Sequence, residues 1–282
     1  MSLEVELFFA AGKGDVELVK DALERGADIH ADDSVALMQS AEKGHLEVVR
    51  FLLEKGADIH AVDDLALKLA ARNGHLEIVK FLVEKGADLH AKDEAALQMA
   101  AANGHLDIVE FFVWKGADIH ANEESALRWA AKEGHAPVVK FLIEKGANVH
   151  ADCDDALMSA AHNGHLEILK YLVNQGADIH ANDDQALIWA ANNGHFGVVS
   201  FLVEQGANIH AMEDEALKSA AYYGHMEIVE FLLEKGAPIA VAKKRGTDAV
   251  KDFCKAYELR RKLDNKLRSA SSMKNKPHKL KI

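Results

Sequence analysis

The chain has 282 residues, of which 28% are charged and only 6% aromatic, and it carries a formal net charge of −12. Few aromatics and abundant alanine suit thin, closely stacked layers better than one large globular core, and no uninterrupted apolar run is long enough to cross a bilayer. Cys153 and Cys254 are the only cysteines, too few and too far apart for a disulfide framework; with no signal-peptide pattern at the start, they point to a soluble protein of a reducing compartment, cytoplasmic or nuclear.

Read from its start, the chain is periodic. Residues 1–29 form a first, altered unit in which Gly14-Asp15 stands where later units have Gly-His, and Glu6 stands where they have Ala36. A terminal unit has no neighbour on one side, so a polar residue there marks an N-terminal cap. The ten-residue stretch GHLEVVRFLL then begins at Gly44 and returns, with small changes, at Gly74, Gly104, Gly134, Gly164, Gly194 and Gly224, always 30 residues on. Each of the first six copies is followed by a Gly-Ala-Asp-like tripeptide, from Gly56 to Gly206, and the copies are preceded by Ala-Leu pairs such as Ala36-Leu37 and Ala66-Leu67. A fixed period of this size means stacked supersecondary units, seven of them across residues 30–236.

Within a unit, Asp33-Ser34 or its counterparts Asp63-Asp64, Asp93-Glu94, Glu123-Glu124, Asp183-Asp184 and Glu213-Asp214 precede a short apolar pattern. Oxygen-bearing side chains just ahead of a helix accept its unpaired N–H groups and favour the positive end of its dipole. This predicts a first helix over residues 35–43, ended by Gly44, which adopts a left-handed conformation at low cost. A second helix follows over residues 46–55, apolar around most of its circumference with one polar stripe at Glu47, Arg50 and Glu54. Pro137, in the first turn of one such helix, removes no needed donor there.

These residues carry a resemblance. The sentence A-A-x-x-G-H-L-E-V-V-x-x-L-L-x-x-G-A-D-x-x-A is similar to that of ankyrin repeats, and it recurs seven times between about Ala10 and Val241. The resemblance implies an all-α ankyrin solenoid that binds another protein in a concave groove. The usual unit has about 33 residues; here the Gly-x-Thr-Pro-Leu-His turn is missing and the β-hairpin fingers are expected to be short or absent. The 30-residue form, with Arg128-Trp129 after one Ala-Leu, is similar to repeats encoded by giant viruses of amoebae. That likeness suggests a virus- or parasite-encoded adaptor acting inside a host cell.

Residues 237–268 read as a C-terminal cap. Gly246-Thr247 falls where an ordinary ankyrin unit has its Gly-x-Thr, which predicts a longer turn in the last unit. From Asp248 to Leu267 the pattern is helical, as one helix or two, with Val250, Phe253, Tyr257, Leu263 and Leu267 turned toward the end of the stack. Residues 269–282 have little to bury and read as a disordered basic tail. Between residues 243 and 282 there are 14 Lys/Arg against 4 Asp/Glu, a net of +10, which leaves 19 against 41, or −22, for the rest.

Fourteen of the 16 histidines fall on a 15-residue beat beginning at His30 and His45. Equivalent positions in successive layers lie about 8–10 Å apart, too far for one metal ion, so hydrogen bonds that hold the turns are expected and no metal or cofactor. No serine or cysteine has a base and an orienting partner, no phosphate-cradling loop follows a strand, and a non-enzymatic role results.

The columns that vary between units locate the function. One holds Gln39, Leu69, Met99, Trp129, Ser159, Trp189 and Ser219; another, at the helix end, holds Glu42, Arg72, Ala102, Lys132, His162, Asn192 and Tyr222, with Tyr223 beside it. By resemblance these line the groove, making Leu69, Met99, Trp129 and Trp189 an apolar strip flanked by Arg72, Lys132, His162, Tyr222 and Tyr223. Gap filling between helices is the competing explanation of the apolar strip. Trp114, at the end of a second helix, reads as packing or rim. A different class of function, nucleic-acid or anionic-surface binding, would use Arg260, Arg261, Lys262, Lys274, Lys276, Lys279 and Lys281. The chain is expected to be a monomer that binds a protein partner.

Overall fold

A computed structural model describes residues 2–274, and all regular structure among them is helical. The chain divides into two compact units, Met1–Asp178 and Ile179–Ile282. The first consists of six helix pairs: α1 (Leu3–Lys13) with α2 (Val16–Glu24), α3 (Ala31–Lys43) with α4 (Leu46–Glu54), and α5 (Ala61–Arg72) with α6 (Leu76–Glu84). It continues with α7 (Ala91–Ala102) and α8 (Leu106–Trp114), α9 (Ala121–Glu133) and α10 (Ala136–Glu144), and α11 (Ala151–His162) and α12 (Leu166–Asn174). The second unit has α13 (Ala181–Asn192) with α14 (Phe196–Glu204), α15 (Ala211–Tyr223) with α16 (Met226–Glu234), and α17 (Ile239–Arg245) with α18 (Asp248–Lys274).

In each unit the first helices of successive pairs pack together along their length, and the second helices touch less. The alanines make this possible. Ala41, Ala70, Ala71, Ala100, Ala101, Ala130 and Ala131 are fully buried, so backbones approach closely, while Leu37, Leu67, Val49 and Leu82 fill the layer between. The all-α architecture of stacked helix-turn-helix pairs is the one the repeat predicts.

The link between pairs holds a surprise. The helical assignment of α3 starts at Ala31, but Asp32, Asp33 and Ser34 have φ of 47°, 56° and 61°, so the right-handed helix begins at Val35 as expected. The same left-handed triplet recurs at residues 62–64, 92–94, 122–124, 152–154, 182–184 and 212–214. Asp and Asn tolerate this conformation; Val62 and Met212, also within it, do so at a cost on the order of 1 kcal/mol each. No strand is present among the described residues, and this tight turn stands in place of a β-hairpin finger.

The last helix pair departs from the expectation. Thr247 does not belong to a lengthened turn but joins α17 to α18, following Gly224 by 23 residues where His45 follows Gly14 by 31. Its methyl lies 3.7 Å from the position of a Cβ on Gly224, where other junctions have a histidine ring, and its N–H donates to the Ala221 carbonyl. The first helix of the last pair is therefore shortened, to seven residues. From Asp248 onward there is one helix, which continues past Ser269 to Lys274 because no glycine or proline interrupts it. Its inward face is Val250 and Cys254, with Phe253 and Tyr257 half-buried; Leu263 and Leu267, expected to face the stack, are exposed. Leu263 follows Cys254 by nine residues, about two and a half turns, and so lies on the opposite side of the helix from it. Lys276, Lys279 and Lys281 lie outside the described residues.

Candidate protein-binding face

Both halves of the acidic pair were expected to cap their own helix. The second member instead reaches across to the next pair. Asp64, buried, accepts the Asp88 N–H at 2.8 Å and the His60 Nδ1–H at 3.1 Å. The Asp118 N–H reaches Glu94, the Asn148 N–H Glu124, the Asp178 N–H Asp154 and the Asn208 N–H Asp184, all within 2.8–3.1 Å. Ser34 performs the same task for the Asp58 N–H. The first member of each pair is exposed, as at Asp63, which pairs with Lys92 at 3.2 Å. The signal was in the sequence: Cys153 replaces a first member, whereas the second always carries an oxygen.

Both histidine columns make hydrogen bonds. His60, His90, His120, His150, His180 and His210 each donate from Nδ1 to the carboxylate four residues on. His120 is held above the ordinary histidine pKa, first by its hydrogen bond to Glu124, against the opposing effect of burial. In the other column the Nε2–H of His75 donates to the Glu42 carbonyl and that of His105 to Arg72, both at 2.9 Å, so each ring joins the ends of successive first helices. Among the described residues no three His, Cys, Asp or Glu side chains converge as metal ligands.

These bonds fix the spacing of the first helices and so of the side chains they display. In the first unit, Arg72, Ala95, Gln98, Met99, Ala102, Asn103 and Trp129 line a recess of about 420 Å³. Met99 is half-buried, and Trp129 is 41% exposed with Lys132 Nζ 4.3 Å from the centre of its ring. The structure thus brings Met99, Trp129, Arg72 and Lys132 together. Leu69 is half-buried and outside that lining, and His162 is exposed at the end of α11. The neighbouring Arg128 is half-buried and bound to Asp152 at 2.6 Å and Asp155 at 3.3 Å, so its charge is engaged within the protein.

The second unit has its own recess, about 300 Å³, lined by Asn192, Glu215, Lys218, Ser219, Tyr222, Tyr223 and Arg245. Tyr222 and Tyr223 are exposed and meet edge to face at 5.0 Å, and Tyr223 stacks on His225. Trp189 is half-buried and does not line this recess. Of packing and rim, the structure excludes packing for Trp114: it is 75% exposed, with Lys115 Nζ 4.7 Å from the centre of its ring. It stands at the end of α8, where neighbouring pairs carry Glu84 or Glu144, with the Phe111 ring 6.2 Å away.

The family model for ankyrin repeats, three copies long, matches residues 7–93, 97–183 and 180–243. The chain belongs to the ankyrin-repeat family. No curated protein matches it. Ankyrin repeats generally mediate protein–protein interaction, and the faces described above are formed by first helices of this ankyrin-repeat protein. Among its described residues no helix is long and apolar enough to cross a membrane.

Proposed function

We propose that this ankyrin-repeat protein is a non-enzymatic scaffold that holds a segment of a partner protein against the first-helix face around Met99 and Trp129. A viral or parasitic adaptor, working in the cytoplasm or nucleus of a host cell, is the setting that the 30-residue repeats suggest. The observation that carries the reading is the exposure of Trp129 beside an open apolar recess, in a fold whose core leucines are almost wholly buried. Arg72 lines that recess and Lys132 sits over the Trp129 ring, while the body around them is strongly acidic, so the segment received there carries an apolar anchor next to a carboxylate. Rigid layers hold these side chains in place before the partner arrives, which lowers the ordering cost of binding.

The test is affinity capture from host-cell lysate with the wild type, Trp129→Ala and Trp114→Ala, followed by titration of the captured protein in purified form. One partner lost with Trp129→Ala and kept with Trp114→Ala, at unchanged helicity, supports the reading. An identical set of captured proteins from all three overturns it.

A further inference from the structure

The outer part of α18 has no counterpart in the other helix pairs. Its base is fixed: Val250 and Cys254 are fully buried, and Lys243 Nζ meets Glu258 Oε1 at 2.6 Å. From residue 259 to 267 every side chain is exposed. Leu259, Leu263 and Leu267 are 68%, 58% and 57% exposed, against 2% or less for the largest buried leucines of the core. Leu259 follows Val250 by nine residues, about two and a half turns, so the leucine stripe starts opposite the buried Val250 and winds slowly round the helix through Leu263 to Leu267. Arg260 borders the stripe on one side and Lys262 on the other; Asp264 is the single carboxylate among residues 259–267, and Lys255, nearer the base, is paired with Asp252 at 2.8 Å.

An apolar stripe with cations on both flanks is the pattern of a helix that lies in an interface between water and anionic lipid. Leucines enter the acyl boundary while the long arginine and lysine stems carry their charges back to the headgroups. Duplex nucleic acid would use the cations but give the leucines no apolar contact, and after Tyr257 there is no Phe, Tyr or Trp for stacking on single-stranded bases. Pairing of this helix with its own copy would set like charges along both edges. We propose that residues 259–267 of α18 form an amphipathic arm that seats this protein on an anionic membrane surface.

The experiment is flotation of the full chain with vesicles of phosphatidylcholine alone and of phosphatidylcholine mixed with phosphatidylserine. The wild type is expected to float with the mixed vesicles only. Leu259→Glu/Leu263→Glu and Arg260→Glu/Lys262→Glu, all at exposed positions, are each expected to lower partitioning at least about tenfold, with unchanged circular dichroism. Failure of the wild type to float overturns the proposal, as does flotation of the leucine variant at the wild-type level, which would reduce the contact to charge alone. Sedimentation without lipid covers the other occupant: a dimer that the leucine variant converts to monomer, without flotation of the wild type, would assign the stripe to a second copy. Retention of a duplex oligonucleotide by the wild type, without flotation, would assign the cations to nucleic acid and overturn the proposal equally.

Discussion

Asp63 and Asp64 are adjacent carboxylates with almost the same backbone conformation and opposite environments. Their φ values are 56° and 59°, so replacing either with alanine incurs a similar left-handed penalty, on the order of 1 kcal/mol. The two variants then differ only in what the side chains do. Asp63 has an exposed ion pair with Lys92, which contributes about 0–0.5 kcal/mol. Asp64 accepts two hydrogen bonds, and its loss leaves the Asp88 N–H without its acceptor at a part-buried junction, a penalty of about 1–3 kcal/mol. Asp64→Ala is therefore expected to lower the unfolding free energy by about 2 kcal/mol more than Asp63→Ala, measured by urea denaturation followed by circular dichroism at neutral pH. Asp64→Asn keeps an acceptor oxygen and tolerates the left-handed turn, and it should fall within about 1 kcal/mol of the wild type. If Asp63→Ala and Asp64→Ala are equally destabilising to within about 0.5 kcal/mol, the carboxylate does not join one repeat to the next and the reasoning fails.

Glycine position gives a second comparison. A Cβ on Gly44 would lie 2.7 Å from the His75 ring, whereas one on Gly56 meets nothing within 4 Å, although φ is positive at both. Gly44→Ala should thus lower the melting temperature clearly more than Gly56→Ala, and equal shifts would show that the ring simply moves aside. For pH, His120 is the group to follow: its folded pKa lies above its unfolded value of about 6.5, so the stabilisation from its bond to Glu124 is complete below that value and is lost as pH rises through the folded pKa. An NMR titration should place its midpoint above that of a free histidine, and Glu124→Gln should bring it down; an unchanged midpoint in the variant would contradict the assigned cause. Finally, Cys254 is buried and its thiol is pushed up by burial, while Cys153 is exposed. A thiol reagent followed by peptide mass spectrometry should label Cys153 at least about tenfold faster, and comparable rates would mean that the α17–α18 pair opens readily.

The regular part of the fold was legible because glycine and apolar spacing act locally. Gly44 ends one helix, the pattern from Leu46 to Leu53 defines the next, and both conclusions need only a ten-residue window. The role of Asp64 needed more, because its partner N–H is 24 residues away in Asp88 and an acidic pair before a helix describes a cap equally well. Periodicity likewise showed that α18 is amphipathic without showing where the unit it docks on ends, which is why Leu263 was assigned to the wrong side. At the candidate site, the column argument grouped Met99 with Trp129 and Arg72, and the structure places those three around one recess. The same argument could not separate Trp189 from Trp129, since position in a column does not report how deeply a neighbour covers the ring.

The bonds between successive repeats of the first unit recur at constant offsets along the chain, 24 residues for the carboxylates and 33 for the histidine rings. Excision or duplication of any whole 30-residue segment inside that unit would hand each donor a new acceptor of the same kind at the same offset. Loss or gain of a single residue would shift both sets out of phase at one junction. The gene for such a protein can therefore change the number of its repeats in one recombination event and still encode a foldable chain. Its binding face can be lengthened, shortened or reordered far more readily than its turns can be edited.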